Sequence, residues 1–335
     1  MTQTQQDMLI IGAGLAGLAL ARDLAQAGRR VQVLDKARGV SGRSSTRRLP
    51  SGASLDHGAR FFTARHERTQ AWIKTGLDAG WLAEWTRRIA RWEDGAITQD
   101  DGHPRYVPPN GMNVLGRELA RELRVELEAQ VIRLERINQG WQAECQNGRM
   151  FTAQQLILNL PAPQIAQLLE KSALEGVDAT PFSAVQFDPC WAVGAQLTAD
   201  LAGVDWPALQ LKNHPILDWL AREHTKRPPG SPPTLMLHAG ADWTRAHLES
   251  ERNEVTAALL DAARELVGPI EPVETFAQRW LYASPTERYP EAFGWQPELG
   301  LGWCGDWCTA DEHGPRVEAA LLSGWHLADR LSEGR

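Results

Sequence analysis

The segment MLIIGAGLAGLALARDLAQAGRRVQVLDK, residues 8–36, constrains this chain more than any other stretch. Met8 to Ile11 is a short apolar run that suits a central parallel strand covered on both faces. Gly12, Gly14 and Gly17 follow as G-x-G-x-x-G. Gly12 permits a tight turn, Gly14 lets backbone approach a pyrophosphate, and Gly17 lets the helix sit close to the strand. Leu15, Leu18, Leu20 and Leu24 give that helix an apolar side, and Gly28 ends it. Val31, Val33 and Leu34 form a second strand closing on Asp35. Asp35 lies 18 residues past Gly17, near the spacing of about 20 at which an acid accepts hydrogen bonds from ribose hydroxyls. Both strands, helix and acid in register imply a dinucleotide held at a helix N-terminus, with Leu15, Ala16 and Lys36 beside it.

The rest of the chain narrows the class. At 335 residues it is too long for one simple core, so two lobes are expected. A net charge of −7 with no basic face argues against nucleic acid. Met1 to Asp7 lacks the basic start of a signal peptide, and no apolar run reaches the roughly 18 residues of a membrane span. Cys145, Cys190, Cys304 and Cys308 are too few for a disulfide framework, which points to the cytoplasm and reduced thiols. Cys304, Cys308 and His313 lack a second ligand pair, so no metal is assigned. The 14 tryptophans read mainly as core, with a minority available to line a flat pocket.

Two stretches bear on whether the dinucleotide is a visiting nicotinamide or a resident flavin. ARGVSGRSSTRR, 37–48, is either a solvated basic loop or a second clamp on a long dinucleotide, with Gly42 and Arg43 at the pyrophosphate. In GLGWCGDWC, 300–308, an apolar strand ends at Gly305-Asp306, and a helix runs from about Pro315 to Leu331. In a flavin domain Asp306 would accept from ribityl hydroxyls, and the start of that helix, near Val317, would point its positive end at the flavin; the same stretch also reads as a strand-turn-helix closing the sheet. LEAQVIRLERI, 127–137, and QQLILNLPAPQ, 154–164, read as strands, with Val131 beside adenine; either could be core alone.

DKARGVSGRSSTRR, LDHGARFFTAR, PCWAV, LDWLARE, RWLYASP, GWCGDWC and RVEAALLSG occur in this order in bacterial renalase-like flavoproteins. The chain resembles that family, within the monoamine-oxidase-like FAD superfamily, from about residue 8 to 331. The resemblance implies non-covalent FAD and an α/β fold: a discontinuous Rossmann-like FAD-binding domain and a second α+β substrate domain on an antiparallel sheet. It implies FAD contacts at Arg60 and Phe61, and a substrate border of Phe61, Phe62, Thr63, Ala64 and Arg65. Cys190, Trp191 and Ala192 form part of the opposite wall, with His238, Trp280 and Tyr282 as further candidates. His238 also reads as a satisfied core histidine. The sequence departs from the family at Ser41 (usually glycine), at Arg60 (usually glutamine), in the 309–315 turn with Pro315, and at Ala319 and Leu321.

The FAD domain is expected to comprise 1–64, 107–163 and 291–335, and the substrate domain 65–106 and 164–290. In the latter, 66–79 and 249–267 read as helices, and 85–99, 185–197 and 234–238 as strands. KRPPGSPP, 226–233, reads as an exposed loop. Arg222, Lys226 and Arg227 read as a solvated edge, or as a guide for a phosphate-bearing substrate. By resemblance the activity is oxidation of 2- or 6-dihydro-NAD(P), with hydride passing to flavin N5. NAD(P)+ is returned and O2 is reduced to H2O2. The alternatives are an oxidase or dehydrogenase for an amine or another small donor, and a binding protein without turnover.

Overall fold

The computed structural model describes residues 6–98, 102–138, 140–309 and 316–333. The fold is a Rossmann-like α/β unit joined to an α+β unit, each discontinuous in sequence. The first unit comprises Met1–Arg43, Leu115–Phe187 and Pro285–Arg335; the second comprises Ser44–Val114 and Asp188–Ser284. The expected division put 44–64 with the nucleotide domain. Here 44–64 belongs to the second unit, because Asp56 on the hairpin Thr46–Arg48/Ser54–Asp56 is tied to Glu223. Helix Ala162–Ser172 stays in the first unit, where Ser172 Oγ accepts from Leu134 N–H at 2.9 Å.

In the first unit five parallel strands lie in the order Arg124–Glu126, Val31–Leu34, Gln6–Ile11, Met150–Leu158, Leu301–Trp303. The central strand is apolar because neighbours flank it on both edges and Met8, Leu9 and Ile10 reach no solvent. Met150–Leu158 changes partners along its length. Its start pairs antiparallel with Gly140–Cys145, and its end pairs parallel with Gln6–Ile11 and Leu301–Trp303. Helix Leu15–Gln26 packs on helix Val317–Ser332 so closely that a Cβ on Gly324 would lie 2.1 Å from the Ala16 carbonyl oxygen.

The second unit is built on a seven-stranded sheet in the order Pro272–Glu287, Gln186–Leu197, Thr234–Ala239, Leu217–Arg222, Ala208–Lys212, Ile89–Glu93, Ala96–Thr98. The single antiparallel strand expected over 85–99 is not formed by the described residues 85–98. Ala83–Thr86 pairs with Arg105–Val107 in a separate ribbon, and Ile89–Glu93 runs parallel to Ala208–Lys212. Alternation gives the sheet two faces. Trp191, Val193, Ala195, Leu235, Leu237 and Leu209 pack under helix Arg252–Val267. The opposite face carries Ala192, Met236, Trp219 and Ala221, against Leu55, Phe61 and Trp280. Among the described residues no helix is long and apolar enough to cross a membrane.

Candidate active site

In the first unit the glycine turn is built around a residue the motif does not name. Asn159, just past the end of Met150–Leu158, accepts from Gly17 N–H at 2.9 Å through Oδ1 and donates from Nδ2 to the Cys304 carbonyl at 2.9 Å. A Cβ on Gly12, Gly14 or Gly17 would come within 2.1, 2.9 and 2.6 Å of Asn159 oxygens. The glycines are therefore needed where the turn meets this asparagine, whatever a ligand also requires. Gly12 additionally sits at φ +106°. Gly14 is the N-cap of helix Leu15–Gln26 and brings no side chain, and the first turn holds no acid, so apart from the Gly17 N–H taken by Asn159 the N-terminus keeps its positive end for an anion.

Asp35 is held in place by the turn it serves. Its Oδ2 accepts from Ala13 N–H at 2.6 Å and its Oδ1 from Ala37 N–H at 2.7 Å, leaving further lone pairs for hydroxyl donors. The 37–43 loop folds over the glycine turn: Ser41 N–H donates to Ala13 C=O at 2.8 Å, and a Cβ on Gly42 would lie 3.4 Å from Gly14 Cα. Ser41 keeps the glycine-like backbone, at φ +100°, and its hydroxyl accepts from Gly116 N–H at 3.0 Å. The absence of a side chain at Gly116 makes room for it, since a Cβ there would meet Ser41 Oγ at 2.5 Å. Arg43 and Asp306, read separately in sequence, form one ion pair at 2.5 Å, with Arg43 also over the Phe187 ring. Gly305 N–H donates to Ser323 Oγ at 3.0 Å. Lys36 is exposed, and Val131 and Val317 are half-buried. Pro315, His313 and 310–315 of the extended turn lie outside the described residues.

This donor set fits an anionic dinucleotide: a helix N-terminus with a glycine N-cap, closed over by a second backbone loop, and an anchored carboxylate at the end of the second strand.

The second unit holds a network that the sequence hides. Arg60 Nε donates to His238 Nδ1 at 3.0 Å, Nη1 to Gln210 Oε1 at 3.3 Å, and Nη2 to Asp218, with the guanidinium 4.8 Å over the Trp219 ring. A bulge between Leu217 and Trp219 lets the strand bring Asp218 to Arg60 while Trp219 faces Phe61. The Arg60 side chain, expected at FAD, is thus engaged within its own unit. Phe61 is half-buried against Trp85 and Trp219. Phe62 is buried against Trp72 and Tyr106, which makes it core. Thr63 and Ala64 are half-buried and Arg65 is exposed. Trp191 is core as well. It lies on the helix side of the sheet and donates to the His247 carbonyl at 2.9 Å, because residue parity sends it away from Cys190 and Ala192.

Trp280 stacks on His57 at 5.3 Å and donates to its carbonyl at 2.8 Å; Tyr282 is half-buried. His57 was not singled out in sequence. Burial, with Arg47 nearby and against the Asp56 charge, pushes its pKa down to about 4. His238 is not the satisfied core histidine of the sequence reading, because its Nε2 has no hydrogen-bond partner among the described residues. Burial, then Arg60, Lys226 and His57, push its pKa well below the usual range. Burial pushes the Cys190 thiol up to about 12.

The expected solvated edge at 222–227 is instead mostly interior. The Lys226 and Arg227 side chains are 0% and 4% exposed, enclosed with the fully buried carboxylates of Asp56 and Glu223. Arg227 reaches Asp56 at 2.7 Å and Glu223 at 3.4 Å, and Lys226 pairs with Glu223. Lys226 also donates to the Arg60 carbonyl at 2.7 Å and lies 4.9 Å over Trp85. Burial opposes ionisation of Asp56, but Arg227, Lys226, Met112 N–H and Thr46 outweigh it and hold the carboxyl below its ordinary range. Burial and the Asp56 charge push Glu223 up despite both cations. Charge spacing alone could not reveal this cluster, since Asp56 is 167 residues from Glu223. Arg222 pairs with Asp200.

Residues 72–332 match the family model for flavin containing amine oxidoreductases, and residues 10–75 match an NAD(P)-binding Rossmann-like domain. The chain belongs to the flavin containing amine oxidoreductase family. It is a flavin oxidoreductase, and its cofactor is FAD. Its fold is similar to that of putrescine oxidase bound to putrescine, at 15% identity over 98% of this chain and 99% of that one, with a TM-score of 0.76. It is also similar to cyclohexylamine oxidase from Brevibacterium oxydans IH-35A, at 14% identity over 98% and 99%, with a TM-score of 0.76. At these identities the likeness shows the fold alone.

Proposed function

We propose that this member of the family oxidises the uncharged dihydropyridine ring of a 2- or 6-dihydro-NAD(P), returning NAD(P)+ and passing the electrons to O2 as H2O2. Bound FAD supplies the two-electron acceptor. The supporting observation is the charge state around the candidate substrate residues of the second unit. Asp56 and Glu223 are committed to Lys226 and Arg227, and Asp218 to Arg60. His57 and His238 are held neutral by burial. This set leaves no carboxylate for an ammonium group. A dihydropyridine asks for neither a counter-ion nor a base, since loss of hydride leaves an aromatic cation. An alkylamine must first lose a proton.

Under this reading Phe61 and Trp280 offer flat apolar surface to the donor, beside Cys190, Ala192 and His238. Gly14, Gly42 and Asp35 bind the ADP half of the cofactor. The four cysteines are free thiols, which supports a reducing compartment such as the cytoplasm. Family membership supports an amine donor equally, so one experiment includes both. Purified holoenzyme is mixed without oxygen with each dihydro isomer, with putrescine and with cyclohexylamine, and the visible flavin absorbance is followed. Bleaching by an isomer, with peroxide formed on readmitting air, is the expected result. Persistent yellow with both isomers, or bleaching by the amines only, overturns the proposal.

A further inference from the structure

The bonds around Arg60 determine which nitrogen of His238 carries the proton. Gln210 Nε2 donates to the carbonyl and carboxylate oxygens of Asp218 at 3.0 and 2.8 Å, so Gln210 Oε1 faces Arg60 as an acceptor. Arg60 Nη2 donates to Asp218, and its Nε donates to His238 Nδ1 at 3.0 Å. A guanidinium nitrogen can only donate, so Nδ1 is the bare acceptor. Burial and the surrounding cations keep the ring neutral, and a neutral ring with a bare Nδ1 carries its proton on Nε2.

That Nε2–H belongs to a residue 4% exposed and meets no acceptor among the described residues. Buried donors are rarely left unpaired. Four residues from four separate segments thus converge to hold one N–H that the chain itself does not use. Of the two cross-strand neighbours of His238, Ala192 contributes only a methyl group, and the one polar side-chain atom of Trp219 is an N–H, itself a donor.

We infer that His238 is a specificity-determining residue whose Nε2–H donates to a carbonyl oxygen of the bound hydride donor, with Arg60, Gln210 and Asp218 as positioning residues. The inference rests on the proposed dihydropyridine donor, whose carboxamide supplies such an oxygen. A simple alkylamine supplies none. No proton is transferred by His238 in this role; it binds and orients.

Two near-isosteric variants separate the two ends of the ring. His238→Asn keeps an acceptor for Arg60 but loses the outer donor, whereas His238→Gln keeps an amide N–H near the Nε2 position. In anaerobic flavin reduction by the dihydro isomers, His238→Asn is expected to lose about tenfold in kcat/KM, and His238→Gln to stay within about threefold of wild type. The second readout needs no turnover. In holoenzyme labelled with 15N-histidine, the His238 Nε2–H resonance is followed during titration with nicotinamide and with thionicotinamide, a weaker acceptor. Nicotinamide is expected to shift it downfield and thionicotinamide to shift it less. Arg60→Met is expected to release Nδ1 and turn the single tautomer into a mixture in the same spectrum.

A resonance unmoved by nicotinamide overturns the inference and assigns the N–H to trapped water, as does a His238→Asn variant with wild-type kcat/KM. If neither isomer reduces the wild-type flavin but nicotinamide still moves the resonance, the proposed function fails while carbonyl recognition by His238 stands.

Discussion

Replacing Lys226 with methionine removes one cation from a four-charge cluster that water does not reach. Methionine fills nearly the same volume as the lysine stem, so the change is mainly electrostatic. The Lys226 side chain is fully buried, as are those of its partners Glu223 and Asp56. Its loss leaves two carboxylates facing Arg227 alone, and strips the Arg60 carbonyl of its donor. Breaking one member out of a buried ion pair costs about 3–5 kcal/mol, because the other charge stays buried without compensation. The second unit has about 170 residues, and at roughly 2.1 cal/mol/K per residue its unfolding entropy is near 0.36 kcal/mol/K. Its Tm should therefore fall by about 8–14 °C in calorimetry.

The pH dependence of the same variant is a sharper test. Glu223 already has its carboxyl pushed up by burial, and losing Lys226 pushes it further. The variant sheds part of its deficit by protonating that carboxyl, so its Tm gap to wild type should narrow as the pH is lowered. Adding Glu223→Gln should recover much of the loss at neutral pH. Lys74→Met, which removes an exposed pair with Asp78, should leave Tm unchanged. A Lys226→Met protein within about 1 kcal/mol of wild type at every pH would refute the reasoning.

Two further perturbations probe the other groups. Asn159→Ala leaves the Gly17 N–H and the Cys304 carbonyl without partners, at about 1–3 kcal/mol each; the holoenzyme should then lose flavin on gel filtration, and full retention would contradict the assigned role. His57 titrates near 4 when folded and 6.5 when unfolded. Only the unfolded chain takes up the proton between those values, so stability is intact above about pH 6.5 and falls through about pH 4. Urea titrations should show that wild type loses about 2.5 kcal/mol more than His57→Phe between about pH 7 and pH 4.5.

The dinucleotide-binding half was largely legible because its signals are local. The apolar run, the glycine spacing and Asp35 follow one another within one βαβ stretch, and short-range geometry alone demands them. The family's blocks located Arg43 and Asp306, but not that they meet as one pair across 263 positions of sequence. Parity decided other cases: Trp191 and Ala192 are adjacent in the chain, yet they lie on opposite faces of a sheet whose register the sequence does not display.

By itself, then, the sequence determined the class of cofactor site, because a phosphate-binding turn needs particular residues at particular spacings within one βαβ unit. Tertiary structure alone decided which charges are spent and which are left to act. Lys226 and Arg227 resemble solvated cations until strands far apart in the chain enclose them with Asp56 and Glu223. His238 resembles core until Arg60 takes one nitrogen and leaves the other. Ionisation and hydrogen-bond capacity depend on what lies within a few ångströms, and chain folding sets those neighbours independently of their order in sequence.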